Sequence, residues 1–530
     1  MRNAKRMIFF AVIVVMVSFT ARGFAVDDPC QTLWKGKGAG RIDSVSIVPQ
    51  SGGLPEYCQV IGTLRSAIGY EVRLPTTEWN GKFYMAGCGG FCGYINAAVC
   101  DPALGRGYAI AVTDTGHIGS ALDGSFGLDN PQAEKDWGFR AIHLVADATK
   151  KIIRKYYGRW PEYSYFEGCS TGGRQGLMEA QRFPDDFDGI IAGDPANYQT
   201  GLPVSQSWFD LVNHDDMGQK ILTFDKMPLI SDSVFIACDG LDGLIDGLID
   251  DPRNCYFDPT VLLCHDGNED LDCLSQAQVD VLIKLYGSAK NSDGEILYPG
   301  GLPKGSEAAW PGWSVGIGAG LSGGGNFAQE CLRYLMFKHD PGESYSVFDF
   351  DYDEDVEALK AKAWVYNASN PDLKKFRDRG CKLMLYHGWA DPLITPFGTI
   401  HYYEQVAQRM GGLPEIQKWF RLYLFPGMNH CGGGPGPNTF DLLTALENWV
   451  EQGIAPDKIV AAHFTIEGVL DRTRPVYPYP MVARFKGTGS IDDADNFVGV
   501  LLNKVFPADY DWDVRNHRSK KFFMPHDDDD

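Results

Sequence analysis

The chain has 530 residues, more than one ordinary hydrophobic core organises, so two to four domains or one core with a large insertion is expected. Its 44% apolar and 22% charged residues are globular values that exclude general disorder. A formal net charge of -21 excludes nucleic acid and anionic membrane as main partners, because both need a basic face. An acidic surface instead suits a soluble exported protein that binds cations.

Met1-Arg2-Asn3-Ala4-Lys5-Arg6 is a basic start, followed by an apolar run from Met7 to Phe19 and by small residues at Gly23 and Ala25. This is the pattern of a signal peptide over 1–25, cut after Ala25. The run is short for a membrane span and nothing later is longer, so no span is expected and the mature protein should be secreted or periplasmic. Thirteen cysteines then read as a disulfide framework with at least one thiol left free. No CxxC has a paired CxxC, so zinc is not expected.

Glu71-Val72-Arg73-Leu74-Pro75 and Lys82-Phe83-Tyr84-Met85-Ala86 read as early strands, and Tyr108 to Thr113 as a buried parallel strand. Ala141 to Tyr157 carries apolar residues at helical spacing, with Gly158 as its stop. Tyr163 to Phe166 is β-prone, and Gly189 to Gly193 resumes a strand. This rhythm predicts a parallel α/β sheet.

Gly168-Cys169-Ser170-Thr171-Gly172 lies between the β-prone run Tyr163 to Phe166 and a helix-like stretch ending near Arg182. A serine there is forced into a sharp turn that exposes Oγ, a geometry suited to acyl transfer. The developing oxyanion needs two N–H donors. The backbone of Thr171 offers one, and the loop Gly87-Cys88-Gly89-Gly90 after an early strand offers the other at Gly89 or Gly90.

From about Gln199 to Asn370 the rhythm weakens while Trp, Pro and Gly rise, which predicts a lid domain, 199–370, inserted between two parts of a catalytic domain, 26–198 and 371–530. Cys238, Cys255, Cys264 and Cys273 lie close together there and are expected to be disulfide-bonded. Asp239, Asp242 and Asp246, interleaved with glycine in a loop closed by Cys238 and Cys255, supply oxygen ligands for a hard cation, which predicts calcium although the spacing is not that of an EF-hand. Trp310, Trp313, Phe327 and Arg333 are candidates for contact with substrate.

After Asn370, one strand leads from Lys382 to Asp391 and another from Arg421 to His430. Ser170, Asp391 and His430 follow in the chain order of an α/β-hydrolase triad. His387 and His117 are alternative bases. A second feature favours His430: Cys169 precedes the serine and Cys431 follows the histidine, so a bridge between them would staple base to nucleophile.

These residues carry a resemblance to the tannase and feruloyl esterase family of serine esterases, which also contains the hydrolase of mono-(2-hydroxyethyl) terephthalate. It rests on Trp79 to Phe83, Asp114 to His117, Gly168 to Gly176, the aspartate loop after Cys238, His387 to Asp391, and His430-Cys431. The resemblance implies an α/β-hydrolase core with Ser170, Asp391 and His430 as triad and Cys169 and Cys431 paired. It also implies Thr171 with the Gly89-Gly90 loop as oxyanion hole, and calcium held by Asp239, Asp242 and Asp246 with the carbonyls of Leu244 and Leu248. Cys88 stands where the family usually has asparagine, Asp194 stands for a usual alanine, and a C-terminal cysteine pair of some members is missing. The pairing among Cys30, Cys58, Cys88, Cys92 and Cys100 stays open.

The expectation is a secreted serine esterase acting on esters of aromatic carboxylic acids, feruloyl or galloyl, the alcohol being small or part of a plant polysaccharide or tannin. Hydrolysis of small synthetic aromatic esters such as terephthalate monoesters is the runner-up. A calcium-dependent glycan-binding protein without catalysis is the rival from another class.

Overall fold

The computed structural model describes residues 29–34, 40–265 and 272–501. The expected signal peptide and the acidic tail from His526 to Asp530 lie outside them. Nine strands form one sheet: β1 (Arg41–Val48), β2 (Tyr57–Leu64), β3 (Ile68–Pro75), β4 (Lys82–Ala86), β5 (Ala109–Thr113), β6 (Tyr163–Cys169), β7 (Gly189–Gly193), β8 (Lys382–Gly388) and β9 (Phe420–Phe425). Their spatial order is β1-β2-β3-β5-β4-β6-β7-β8-β9. Pairing is antiparallel from β1 through β3 to β5 and parallel from β5 to β9. With helices between the parallel strands, this is the expected α/β-hydrolase fold.

All five residues of β5 and of β7 are buried, as parallel strands covered on both faces must be, which is why both read as continuous apolar runs. Helix α1 (Ala141–Tyr157) turns Ile142, Val145, Ile152 and Ile153 inward, and Gly158 ends it with a φ of 77° while its N–H bonds the Arg154 carbonyl. Each such side chain contributes about 1.5–3 kcal/mol on burial, so Ile153→Ala is a core-breaking change. Helix α2 (Thr171–Arg182) follows β6 directly and is buried for most of its length.

Among the described residues, the chain between β7 and β8 adds no strand to this sheet. It carries α3 (Leu202–Val212), α4 (Met227–Cys238), α5 (Gln276–Tyr286) and α6 (Gly323–Tyr334). Its first part has an apolar cluster of its own around Ile230, Val234, Leu282 and Trp310. Its second part, from Ala328 through Leu332 and Tyr366 to Phe376, packs into the core of the sheet. Helices α3 and α6 meet where Asp210 accepts from the N–H of Ser322 at 3.0 Å and from its hydroxyl at 2.5 Å.

Helix α7 (Pro396–Met410) lies between β8 and β9, and α8 (Leu442–Gln452) follows β9. Two hairpins close the described chain: β10 (Ile459–Phe464) with β11 (Leu470–Val476), and β12 (Met481–Phe485) with β13 (Phe497–Leu501). The disulfides are Cys30–Cys58, Cys88–Cys92, Cys169–Cys431, Cys238–Cys255 and Cys264–Cys273, and Cys100, Cys331 and Cys381 are free and buried.

Candidate active site

Ser170 sits between β6 and α2 at φ 63° and ψ -121°, a region that non-glycine residues enter only when the surroundings force them. Two hydrogen bonds hold it there, from its N–H to the Gly193 carbonyl at 2.9 Å and from the Ala196 N–H to its own carbonyl at 3.1 Å. The turn closes because its neighbours lack Cβ: one on Gly168 would stand 2.6 Å from the Gly172 backbone, and one on Gly173 2.3 Å from the Gly193 oxygen.

Asp391 and His430 lie just past the ends of β8 and β9. His430 Nδ1 is 2.6 Å from Asp391 Oδ2, while Asp391 Oδ1 accepts the N–H groups of Leu393 at 2.8 Å and Ile394 at 2.9 Å. Burial works against the Asp391 charge, but His430 and His387 outweigh it and hold the carboxyl well below the usual carboxylate range. Burial likewise opposes the charged form of His430, and the Asp391 carboxylate overrides it and raises the imidazole pKa. The Cys169–Cys431 bridge sets the histidine loop against the serine turn, with Cα atoms 5.9 Å apart. Ser170 and His430 make no direct hydrogen bond among the described contacts, an open arrangement common before substrate binds.

The other two histidines are placed differently. His117 stacks on Phe126 with ring centroids 3.8 Å apart, and burial pushes its pKa down to about 4. His387 is fully buried behind Asp391, with its Nε2 3.2 Å from Asp391 Oδ2.

The loop before the oxyanion position is tied by Cys88–Cys92 and held to α2 by the Thr171 hydroxyl, which donates to the Gly90 carbonyl at 2.8 Å. Gly90 has a φ of 54°, and a Cβ on it would stand 2.2 Å from the Ala121 oxygen, so glycine is required. A Cβ on Gly89 would meet nothing. Gly90 and Thr171 both line a cleft of about 390 Å³ at Ser170, and Gly89 does not.

The rest of that cleft was mostly invisible in the sequence. Phe91, Trp137 and Phe327 form an aromatic wall, with Phe91 centred 5.9 Å from Trp137 and 5.7 Å from Phe327. Gln199 and Gln206 supply amides: Gln199 Nε2 contacts Cys331 Sγ at 3.6 Å, and Gln206 Nε2 donates to the Leu393 carbonyl at 3.3 Å. Among the described residues, no charged side chain lines the cleft. Arg174 stacks on Trp137 at 4.2 Å but is fully buried and donates to the Gly138 carbonyl.

Of the four candidate contact residues, only Phe327 lines this cleft. Trp310 is fully buried in the cluster around α4 and α5, Trp313 is partly exposed at 44%, and Arg333 donates to the Tyr345 carbonyl. Only burial, which depends on the folded chain, separates these cases.

The aspartate loop lies apart from the cleft. Asp239 accepts the N–H groups of Asp246 at 3.1 Å and Gly247 at 3.0 Å, and Asp242 accepts that of Leu244 at 2.8 Å. Asp246 accepts the Leu248 N–H at 3.3 Å and pairs with Arg474 of β11. Arg472 donates to the Asp246 carbonyl at 3.0 Å, and Arg484 of β12 pairs with Asp250 at 3.0 Å. The three carboxylates are not gathered within 4.8 Å of one another. The donors fit a hard cation in type, and Asp239 and Asp242 have no cationic partner among the described residues.

A strained serine between strand and helix, an acid–imidazole pair delivered by later strands and a nine-stranded mixed sheet define a serine hydrolase of the α/β-hydrolase class. The chain belongs to the tannase and feruloyl esterase family, whose sequence profile matches residues 53–500. It is 37% identical over 494 residues to an uncharacterized esterase of Xanthomonas campestris pv. campestris, covering 84% of this chain and 85% of that one. It is 35% identical over 531 residues to the mono(2-hydroxyethyl) terephthalate hydrolase of Piscinibacter sakaiensis, covering 86% of each. The crystal structure of feruloyl esterase B from Aspergillus oryzae superposes with a TM-score of 0.82 at 27% identity, over 89% of this chain and 99% of that one. The protein is accordingly a carboxylic ester hydrolase, and the reading of the elbow as a mere turn in a glycan-binding protein falls.

Proposed function

We propose that this chain is a secreted esterase that cleaves feruloyl or galloyl esters through an acyl-serine intermediate. The observation that carries the substrate reading is the cleft at Ser170, lined by aromatic rings, two amides and aliphatic side chains, with no charged side chain among the described residues. An aromatic acyl group stacks on such a wall. Each glutamine directs its amide nitrogen to a protein acceptor, which leaves an amide oxygen to accept from a phenolic hydroxyl. A terephthalate monoester carries a free carboxylate on the acyl ring, for which the described lining offers no cation.

Ser170 Oγ attacks the ester carbonyl while His430 Nε2 takes its proton, and Asp391 holds the ring through Nδ1 and stabilises the imidazolium. The Thr171 and Gly90 N–H groups receive the oxyanion. His430 then protonates the leaving alcohol, and water activated by the same histidine frees the acid. The segment 199–370 acts as a lid that supplies Gln199, Gln206, Phe327 and Cys331 to the acyl side.

The leader pattern and five disulfides support export, and no helix among the described residues is long and apolar enough to cross a membrane. A calcium ion held by Asp239, Asp242 and Asp246 with the Leu244 and Leu248 carbonyls would supply the cation that Asp239 and Asp242 lack among the described residues, in a structural role. The alcohol side is a plant polysaccharide or a tannin. Turnover of methyl ferulate, methyl gallate and a terephthalate monoester tests the reading. Preference for either phenolic ester is expected, preference for the terephthalate overturns the cleft argument, and inertness to all three overturns the aromatic-ester reading.

A further inference from the structure

Behind the triad lies a second acid–imidazole pair. Asp194 follows β7 at a φ of 36°, and it is fully buried together with His387 and Asp391. The Nε2 of His387 faces three oxygens: the Ile394 carbonyl at 2.7 Å, Asp391 Oδ2 at 3.2 Å and Asp194 Oδ1 at 3.6 Å. A carbonyl only accepts, so this nitrogen carries a hydrogen. The other ring nitrogen lies 2.8 Å from the Thr399 hydroxyl, which can accept as well as donate. Both ring protons therefore have a place, and two carboxylates facing one ring away from water favour the imidazolium.

Asp391 Oδ2 thus meets His430 in front and His387 behind. Asp194 reaches two further parts of the site. Its Oδ1 accepts the Gly388 N–H at 2.8 Å, and its Oδ2 lies 3.3 Å from both the Cys431 N–H nitrogen and the Cys169 sulfur. That sulfur is in a disulfide and has no hydrogen to give, so the second is a packing contact.

We propose that Asp194 and His387 are positioning residues of the triad: the His387 ring pins Asp391 from behind, and Asp194 balances that ring's charge while tying the His430 loop to β8. Together they set the field in which His430 gains and loses its proton. The proposal rests on the acyl-serine reading of Ser170. The other titratable neighbours carry no charge here, since burial pushes Tyr298 beside Asp391 and Tyr386 beside Asp194 up and keeps both neutral. Burial raises Asp194 to about 6, so it is ionised at neutral pH, and the two acids outweigh burial to raise His387.

The signs of the two charges give opposite outcomes. Asp194 favours protonated His430, and His387 disfavours it. In Asp194→Asn the acid limb of kcat/KM therefore moves to lower pH, and in His387→Gln, which keeps a donor near Nε2, it moves to higher pH, each by about half a unit or more. Asp194→Ala, which introduces no new donor, moves it the same way as Asp194→Asn and serves if that variant does not fold.

The experiment measures kcat/KM on one ester and the rate of Ser170 labelling by a fluorophosphonate, both against pH, for the wild type and the variants. Opposite shifts in the two sets support the proposal. Limbs that stay in place or move in the same direction, in proteins that still label, overturn it. A wild type that does not label overturns the acyl-serine reading instead.

Discussion

Cys169 and Cys431, separated by 262 positions in the chain, are joined by a disulfide whose Cα atoms stand 5.9 Å apart. One is the residue before Ser170 and the other the residue after His430, so the bridge joins the turn that holds the nucleophile to the loop that holds the base. The chain-entropy model assigns a loop of this length about 5 kcal/mol at most. The sheet and the other bridges remain without it, whereas nothing else covalently fixes the distance between the two catalytic candidates. Replacing both cysteines by alanine is expected to lower kcat/KM by about 10²-fold or more, the cost of a misplacement near 1 Å, with a much smaller effect on the fold. Activity and a thermal melt on the same sample decide it. Loss of both in step, or a free thiol at either position in the native protein, refutes the staple.

The backbone strain at Ser170 predicts a separation of stability from activity. Ser170→Ala and Ser170→Gly are both expected to lose about 10⁴-fold or more in kcat/KM. Only the glycine variant relieves a φ of 63°, and it should be about 1 kcal/mol more stable than the alanine variant. Denaturant melts of the two compare them directly, and equal midpoints would remove strain from the account of the elbow.

The raised pKa of His430 fixes the direction of the pH profile. The general base must be neutral, so activity is lost as pH falls through a value above the ordinary imidazole 6.5, because the Asp391 carboxylate stabilises the charged ring. Asp391→Asn removes that field. Its expected kcat/KM is lower by about 10⁴-fold, and its acid limb lies at lower pH than in the wild type. An acid limb unmoved in this variant would mean that another group governs the profile.

How far the sequence carried the site follows from where each residue lies in the chain. Ser170 was legible because elbow geometry needs glycines at fixed offsets, and those offsets survive in one dimension. The cysteine pair was legible for a related reason, since each cysteine adjoins a residue already chosen by its chemistry. The triad acid and base lay at the ends of apolar strands, which announce themselves by composition. β1, β2 and the last two hairpins were missed; half-exposed antiparallel strands such as Arg41–Val48 look like polar loops. The cleft wall was missed for a deeper reason. Phe91, Trp137, Gln199, Gln206 and Leu393 come from four separate stretches, and only folding distinguishes Phe327, which lines the cleft, from Trp310, which fills a core. Asp194 was visible only as an unusual residue, and its meaning depends on His387 and Cys431, far away in the chain.

Metal removal offers a test in which stability and chemistry should again part. The aspartate loop contacts the C-terminal hairpins through Arg474 with Asp246 and Arg484 with Asp250, while Asp239 and Asp242 carry charges that no described cation meets. A bound calcium ion would therefore stabilise the native state by mass action, and a chelator should lower the melting temperature. None of Asp239, Asp242 and Asp246 lines the cleft at Ser170, so kcat/KM measured on protein that is still folded should change little. Calcium should restore the melt where an equal concentration of magnesium does not, because a loop of carboxylates and carbonyls suits the larger ion's irregular, higher coordination. Asp239→Asn and Asp242→Asn should reproduce the chelator's effect in the presence of calcium. Elemental analysis after dialysis gives an independent answer. A metal-free protein whose melt ignores both chelator and calcium would leave the loop as an acidic turn held by Arg472, Arg474 and Arg484, the Cys238–Cys255 bridge and its own hydrogen bonds.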